Sequence, residues 1–501
     1  MEKRALISVS NKDGIVDFAR FLSQKGYKIL STGSTARILM DSGVETQPVE
    51  EYTHFKEILS GRVKTLHPRI HAGILFKRDD SEHLRTIEEL DIDPIDVVVV
   101  NLYPFERVAK TSNDMEELIE NIDIGGPTLL RAAAKNYKHV LVVCDPADYN
   151  YVMESFDTIG EEERFRLAMK AFSHTAYYDS LIVERFEHAF QNSCAVPMKK
   201  AFDLRYGENP HQKASLFKDP LIKGIPDAEQ LHGKELSYNN LLDIDIAYRI
   251  MLEFDEPACA IIKHTTPCGV ACAESHTEAF KRALETDPVS AFGGIIGING
   301  TVSDELASLI SARFFEVVVA YDFQKSALET LKVRKNLRLV KIKAQDYANL
   351  KEVRSIIGGY LVQDADLKKP FNYKVVSEKK PSQDELIDLE FAFRVAKFVK
   401  SNAIVFAKNR ATLAIGGGET SRIDAARFAS LRAKELNIDL KGSVMASDGF
   451  FPFRDSVDLA AKLGVTAIVE PGGSIRDSEV IQASNEHSIA LLFTGIRHFR
   501  H

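Results

Sequence analysis

Lys263 and His264 stand side by side after the apolar run 258–262 and are followed by Pro267 and Gly269. The run reads as a short buried strand, and the Pro and Gly predict a turn just beyond it. A strand end presents side chains into a crevice from a rigid support. There an ammonium can steady a developing negative charge while an imidazole takes or gives a proton near neutral pH. A second set of chemically able residues lies earlier in the chain. The stretch GRVKTLHP puts Arg62, Lys64, Thr65 and His67 in a loop, and Asn101 and Tyr103 sit at the end of the apolar run that starts at Val97. Asp123, Gly125 and Gly126 precede a helix that carries Arg131 and Lys135. Polar groups gathered at strand ends and helix starts are the pattern of a site.

The elements that must position these residues can be read in order. Residues 5–10 form a strand, about 14–24 an amphipathic helix and 27–30 a second strand. Ser31, Thr32, Gly33, Ser34 and Thr35 then open a helix, a geometry that offers backbone N–H groups and a helix dipole to an anion. Neither a Walker lysine nor a G-x-G-x-x-G pattern accompanies it. The alternation of strands and helices predicts a doubly wound α/β domain with its site at the strand carboxyl ends. Residues 137–145 read as another strand, and 161–191 as long helical material that closes the domain. The boundary falls near 197, in the junction 192–197, and Arg205, Tyr206 and His211 beyond it sit in a loop beside Gly and Pro.

The 501 residues correspond to about three domain-sized units. A 45% hydrophobic and 27% charged composition is that of a globular protein with real cores. A net charge of −8 argues against nucleic acid as a partner. No apolar run approaches the ~18 residues of a membrane span, the start carries no signal-peptide pattern, and five scattered cysteines make no disulfide framework. The expected location is cytoplasmic.

The second half contains an echo of itself. Asp243, Ala247, Arg249, Ala258 and Lys263 fall on Asp388, Ala392, Arg394, Ala403 and Lys408 at a constant offset (388 − 243 = 408 − 263 = 145). Such self-similarity predicts a duplicated supersecondary unit, in which His264 corresponds to Asn409.

The segments SVSNKDG, STGST, GRVKTLHP, NLYPF and IDIGGPTLLRAAAKN resemble the cyclohydrolase half of the bifunctional AICAR formyltransferase/IMP cyclohydrolase family. LRYGENPHQ, KHTTPCG, DPVSAFGG, SNAIVFAKN, SDGFFPFRD and RHFRH are similar to its formyltransferase half, so the resemblance covers nearly the whole chain. It implies a methylglyoxal-synthase-like domain over 1–197, then a duplicated cytidine-deaminase-like region over 198–501 whose second subdomain starts near 375. It also implies a homodimer with transferase sites between subunits, and AICAR and 10-formyltetrahydrofolate as substrates. The products would be formyl-AICAR and then IMP. The substrate phosphate would be held by Ser10, Lys12 and the turn from Ser31 to Thr35, with Arg62, Thr65, Asn101, Gly125 and Gly126 as further contacts. Lys64, Tyr103, Asp123 and Lys135 match the family's cyclisation residues. Lys263 and His264 match its formyl-transfer pair. Arg205, Tyr206, Asn409, Arg497 and Phe499 match positions lining the nucleotide or folate site, and the stretch with Asp448, Phe451 and Pro452 is expected in the same cavity.

That chemistry suits the residue types. Cyclisation joins two groups of one substrate, so positioning supplies much of the acceleration, and backbone N–H groups at 123–126 with Lys64 can meet the oxyanion. In formyl transfer His264 would take the proton of a weakly nucleophilic amine, while Lys263 steadies the tetrahedral oxyanion or helps protonate the departing folate nitrogen. No metal is required. Two positions depart from the family pattern: Thr266 stands where Asn is common, and Glu419 where Gln is usual. A zinc reading of His264, Cys268 and Cys272 has the wrong spacing for a deaminase. An anion sensor would need the 31–35 turn but not the proton-transfer set.

Overall fold

The computed structural model describes residues 2–186, 195–345, 347, 350–367 and 370–501. The chain divides into two units, Met1–Lys199 with Lys218–Ile222, and Lys200–Phe217 with Lys223–His501. Of the expected junction 192–197, residues 192–194 lie outside the described residues.

In the first unit, β1 (Arg4–Val9), β2 (Lys28–Ser31), β3 (Thr46–Pro48), β4 (Ile95–Asn101) and β5 (Leu141–Val143) form a parallel sheet in the order β3-β2-β1-β4-β5. Its central strands are apolar on both faces because both faces are covered. Leu6, Val98 and Val100 pack into one core, and Ala5, Ile7, Val97 and Val99 into the other. Helix α1 (Ile15–Gln24) buries Ile15, Phe18, Ala19 and Leu22 against the second core. Helix α2 (Gly33–Asp41) follows β2 directly. Further along come α3 (Met115–Glu120), α4 (Gly125–Lys135) and α5 (Glu161–Phe186). The chain leaves β1 toward β2 on one side and later resumes at β4 on the other. The carboxyl ends of β1, β2 and β4 therefore meet at a topological switch point, where open α/β sheets leave a crevice. The expected strand 137–145 is only Leu141–Val143 long, because α4 runs on to Lys135 and 137–139 form its exit turn.

The second unit is built on one twelve-stranded sheet. Its first half contributes β6 (Glu229–His232), β7 (Ala258–Lys263), β8 (Thr266–Cys272), β9 (Ile295–Val302), β10 (Val317–Phe323) and β11 (Arg338–Lys341). Its second half contributes β12 (Lys374–Val375), β13 (Ile404–Lys408), β14 (Ala411–Gly416), β15 (Val444–Ser447), β16 (Ala467–Glu470) and β17 (Ala490–Phe493). From the centre outward one side reads β8-β7-β9-β10-β11-β6 and the other β14-β13-β15-β16-β17-β12. The two halves have the same strand order. Helix α6 (Tyr238–Met251) follows the first strand of one half and helix α7 (Gln383–Ala396) that of the other, and the two share one core beneath the sheet.

Pro267 and Gly269 do not make the turn after Lys263. They lie inside β8, and the turn is His264-Thr265. Gly269 is needed for close approach instead: a Cβ there would sit 2.0 Å from the Ala283 carbonyl oxygen, and one at Gly416 2.0 Å from that of Ala425. Both contacts are to helix backbone, which cannot step aside. Gly269→Ala and Gly416→Ala are each expected to cost about 1–3 kcal/mol, read as a lower urea midpoint.

Two candidate active sites

The first site occupies the switch point of the parallel sheet. A cavity of about 560 Å³ is lined there by Ser10, Thr32, Gly33, Ser34, Thr35, Arg62, Lys64, Thr65, Asn101, Tyr103, Asp123, Gly125 and Gly126. Ser8 and Glu120 line it too. Ser8 could have been noticed from its i,i+2 spacing to Ser10 at the end of a strand. Nothing local marks Glu120, which pairs with Arg62 across 58 positions.

Helix α2 begins at Gly33 with φ +48, and the Thr32 side chain does not cap it. Its first N–H groups therefore face the cavity as the unspent donors of any helix start. Lys64 reaches over this start, since a Cβ on Gly33 would be 3.6 Å from its Nζ. Lys64 is also held 3.5 Å from the carboxylate of Glu57.

Several expected contacts prove to be braces. Ser31 is fully buried, and its hydroxyl donates to the Ile7 carbonyl at 2.7 Å. The buried Thr35 hydroxyl donates to the Val9 carbonyl at 3.0 Å. Lys12 donates to the same carbonyl and to Thr35, and burial pushes its ammonium below the usual lysine range. Asn101 accepts from the N–H groups of Ser10 (2.6 Å) and Asn11 (2.8 Å). These bonds lock the β1 and β2 exits together. They shape the cradle and leave Ser10, Thr32 and Ser34 nearest its opening.

Asp123 sits where α4 starts. Its carboxylate accepts from Gly126 N–H at 2.8 Å and Tyr103 N–H at 3.4 Å, and its own N–H donates to the Tyr178 hydroxyl at 2.8 Å. Burial raises its pKa, opposed by those two backbone donors and by the charge of Lys64. The Tyr103 side chain is 43% exposed, toward the cavity. Lys135 is not brought in: it is exposed at the other end of α4, about 15 Å along the axis from Gly125.

The second site centres on the β7–β8 hairpin. His264 and Thr265 have φ of +52 and +61, the twist a two-residue hairpin turn demands and one that a β-branched residue resists. The Asp243 carboxylate on α6 accepts both turn N–H groups, at 3.3 and 2.6 Å, and holds them there. The same device recurs at Asn409 and Arg410, with φ of +52 and +56 and bonds of 2.7 and 2.6 Å to Asp388 on α7. Lys263 donates to the Phe292 carbonyl at 2.8 Å, and Lys408 to that of Lys441 at 3.2 Å.

The two turns do not converge within one chain. β8 and β14 run antiparallel with Ala271 opposite Ala411, and Cys272 N–H donates to the Arg410 carbonyl. The His264 turn is at the other end of β8, roughly 20 Å away along six residues of strand. Arg500 donates to the Thr265 carbonyl at 2.8 Å, which puts the C-terminal Arg497 and Phe499 at the His264 end. Arg422 and Arg497 both stack on the Phe499 ring. Arg205 donates to the Tyr206 hydroxyl at 2.8 Å, and the Glu208 carbonyl beyond them accepts from Asn239 on α6, one turn before Asp243.

Asp448 and Phe451 are fully buried and are not exposed walls. Asp448 accepts from Ala403 N–H at 3.1 Å and from Arg422 at 3.3 Å, and Phe451 packs in the core beneath. Pro452 next to it is half-buried. At Glu419 the main-chain carbonyl accepts from Asn402, and Gln would supply that carbonyl equally. Cys268 and Cys272 cannot share a metal ion: four strand residues separate them by about 13 Å. Burial pushes both thiols up to about 12.

Sequence reasoning missed Glu470. It is fully buried, accepts from Gly472 N–H at 2.9 Å, and its Oε1 has no partner among the described residues. Burial pushes it up to about 8, with Arg422 opposing and Asp477 adding to the shift. The unfolded chain gives up that proton near 4.5, so stability is full below that pH and falls as pH rises toward 8. Glu470→Gln is expected to remove this fall, so that urea midpoints of variant and parent diverge by pH 8 and meet below 4.5.

Comparison with known proteins agrees over the whole length. A profile of the AICARFT/IMPCHase bienzyme matches residues 133–432, and one of the MGS-like domain matches residues 14–128. Relatives from Persephonella marina and Caldicellulosiruptor saccharolyticus are each 50% identical over 100% of both chains. One from Aquifex aeolicus is 50% identical over 99% of this chain and 100% of its own. All three are named bifunctional purine biosynthesis protein PurH. With a matched profile over more than half its length and such relatives end to end, this chain belongs to the AICARFT/IMPCHase bienzyme family.

Proposed function

We propose that the first unit closes formyl-AICAR to IMP and that the second makes formyl-AICAR from AICAR and 10-formyltetrahydrofolate. The observation that carries the reading is the 560 Å³ cavity, which gathers Lys64, Tyr103 and Asp123 with the helix start at Gly33. A ribonucleotide phosphate suits the donors of that start. Its base then lies toward the proton-transfer groups. The carboxamide nitrogen attacks the formyl carbon, a C–N bond forms, and the oxygen leaves as water. Lys64 steadies the oxyanion, while Asp123 and Tyr103 hold and move the protons.

In the second unit the AICAR amine attacks the formyl carbon carried by the folate. His264 takes the amine proton, Lys263 steadies the tetrahedral oxyanion, and the bond to the folate nitrogen breaks as that nitrogen is protonated. Arg205, Tyr206, Asn409, Arg497 and Phe499 bind nucleotide or folate. The separation of the His264 and Asn409 turns supports a homodimer of cytidine-deaminase-like halves, where the Asn409 end of one chain completes the partner's site. The protein is placed in the cytoplasm. Lys135 keeps its assignment from the family resemblance alone.

The test is direct. The full-length enzyme should convert AICAR to IMP only when formyl-folate is added, with formyl-AICAR appearing first, and should convert formyl-AICAR to IMP unaided. IMP formation from AICAR with no folate, or no turnover of formyl-AICAR, would overturn the assignment.

A further inference from the structure

The loop that brings Lys64 to the first site is a small hairpin with a charged pair at its base. Ile58 and Val63 exchange N–H···O bonds of 3.2 and 3.4 Å across an isolated antiparallel bridge. Between them Leu59, Ser60 and Gly61 turn the chain back with φ of +55, +54 and +91. One residue outward from the bridge on each side stand Glu57 and Lys64, where antiparallel register puts two side chains opposite each other on one face. The Glu57 carboxylate is 3.5 Å from the Lys64 ammonium. A Cβ on Gly61 would meet both side chains, at 2.7 and 2.8 Å, so the pair lies across the bare Cα of that glycine.

The two side chains are 40% and 29% exposed, and an ion pair so open adds little to stability. What it fixes is direction. Ser60, Gly61, Arg62 and Lys64 line the cavity and Glu57 does not, so the carboxylate acts on the site through its partner. Lys64 also has a second carboxylate within reach. Asp123 lines the same cavity, and the loop abuts the start of its helix, since a Cβ on Gly125 would lie 3.0 Å from the Thr65 hydroxyl. Burial raises the pKa of Asp123, while the Gly126 and Tyr103 N–H groups and the charge of Lys64 oppose that rise. The other polar groups around Asp123 are the hydroxyls of Tyr103 and Tyr178 and the Arg62–Glu120 pair, whose charges are already matched. An ammonium closed onto Asp123 would neutralise both groups at once.

We propose that Glu57 is a positioning residue for cyclisation: it draws the Lys64 ammonium over the α2 start and keeps it off Asp123. The proposal rests on ring closure taking place in this cavity. Without Glu57 the ammonium turns to the remaining carboxylate, and a proton-transfer group is tied up in an ion pair.

The test measures closure of formyl-AICAR against pH in the full-length enzyme, in Glu57→Gln, in Lys64→Met and in the double variant. Glu57→Gln is expected to lower kcat about ten-fold and to move the acid limb down by about one pH unit, because a facing ammonium favours the ionised carboxylate. With Lys64→Met already present, Glu57→Gln should change neither rate nor limb, as one residue acting through another requires. An equal loss in both backgrounds would make Glu57 a structural part of the loop and overturn the proposal. An unchanged rate in Glu57→Gln would overturn it too, as would an acid limb that moves up, the sign of an ammonium released to solvent. Failure of the parent enzyme to close formyl-AICAR would instead count against the assignment of cyclisation itself.

Discussion

Lys263→Ala is expected to cut formyl transfer by about a thousand-fold, the cost of losing a donor aimed at a developing oxyanion. The ammonium is anchored by the Phe292 carbonyl at 2.8 Å, at the last position of β7 beside a turn that Asp243 clamps. Cyclisation of supplied formyl-AICAR should continue at the parent rate, because Lys263 belongs to the second unit and the cavity around Lys64 to the first. Following formyl-AICAR formation and IMP formation separately checks both halves of the statement. A folded variant that lost both activities would end the division of labour proposed above.

Asp123→Asn should have the converse effect, lowering cyclisation by about a hundred- to ten-thousand-fold while leaving formyl transfer intact. The carboxylate accepts from both Gly126 and Tyr103 N–H groups. An amide would either turn its NH₂ toward one of these donors or give up the proton-accepting oxygen that faces the cavity. Because burial raises the folded pKa of Asp123 above 3.8, the acid limb of cyclisation should lie above the ordinary aspartate range and vanish in the variant. Gly126→Ala offers an independent check. Its Cβ would stand 2.6 Å from the Asp123 Oδ2 and 2.7 Å from Leu102 Cδ2, so the carboxylate must move and cyclisation should fall with Asp123 still present. Rates for formyl-AICAR closure against pH decide the matter.

Much of this molecule could be read from its residues in order, because the signals involved are local. Buried parallel strands announce themselves as apolar runs such as 97–100, and amphipathic helices as periodic ones such as 15–24. The repeat at offset 145 was equally visible, and it corresponds to two halves of one sheet with matching strand order. The candidate residues of the first site stood at strand ends and helix starts, where the alternation of elements places a crevice.

What chain order could not reveal was which polar groups face inward and which face one another, since those partners lie far apart in sequence. Ser31 and Thr35 look like phosphate ligands until their hydroxyls are seen to donate hydrogen bonds to the carbonyls of Ile7 and Val9, 24 and 26 residues away. The turn belongs to His264 and Thr265, not to Pro267 and Gly269, because Asp243, 21 and 22 residues earlier, makes a left-handed pair of residues affordable. Lys135 shares a helix with the site and still points elsewhere, while Glu470 became a buried acid only through the strands packed around it. Residue type and spacing determined which chemistry was on offer. Burial and hydrogen-bond partnership, which arise only on folding, decided which groups remain free to perform it.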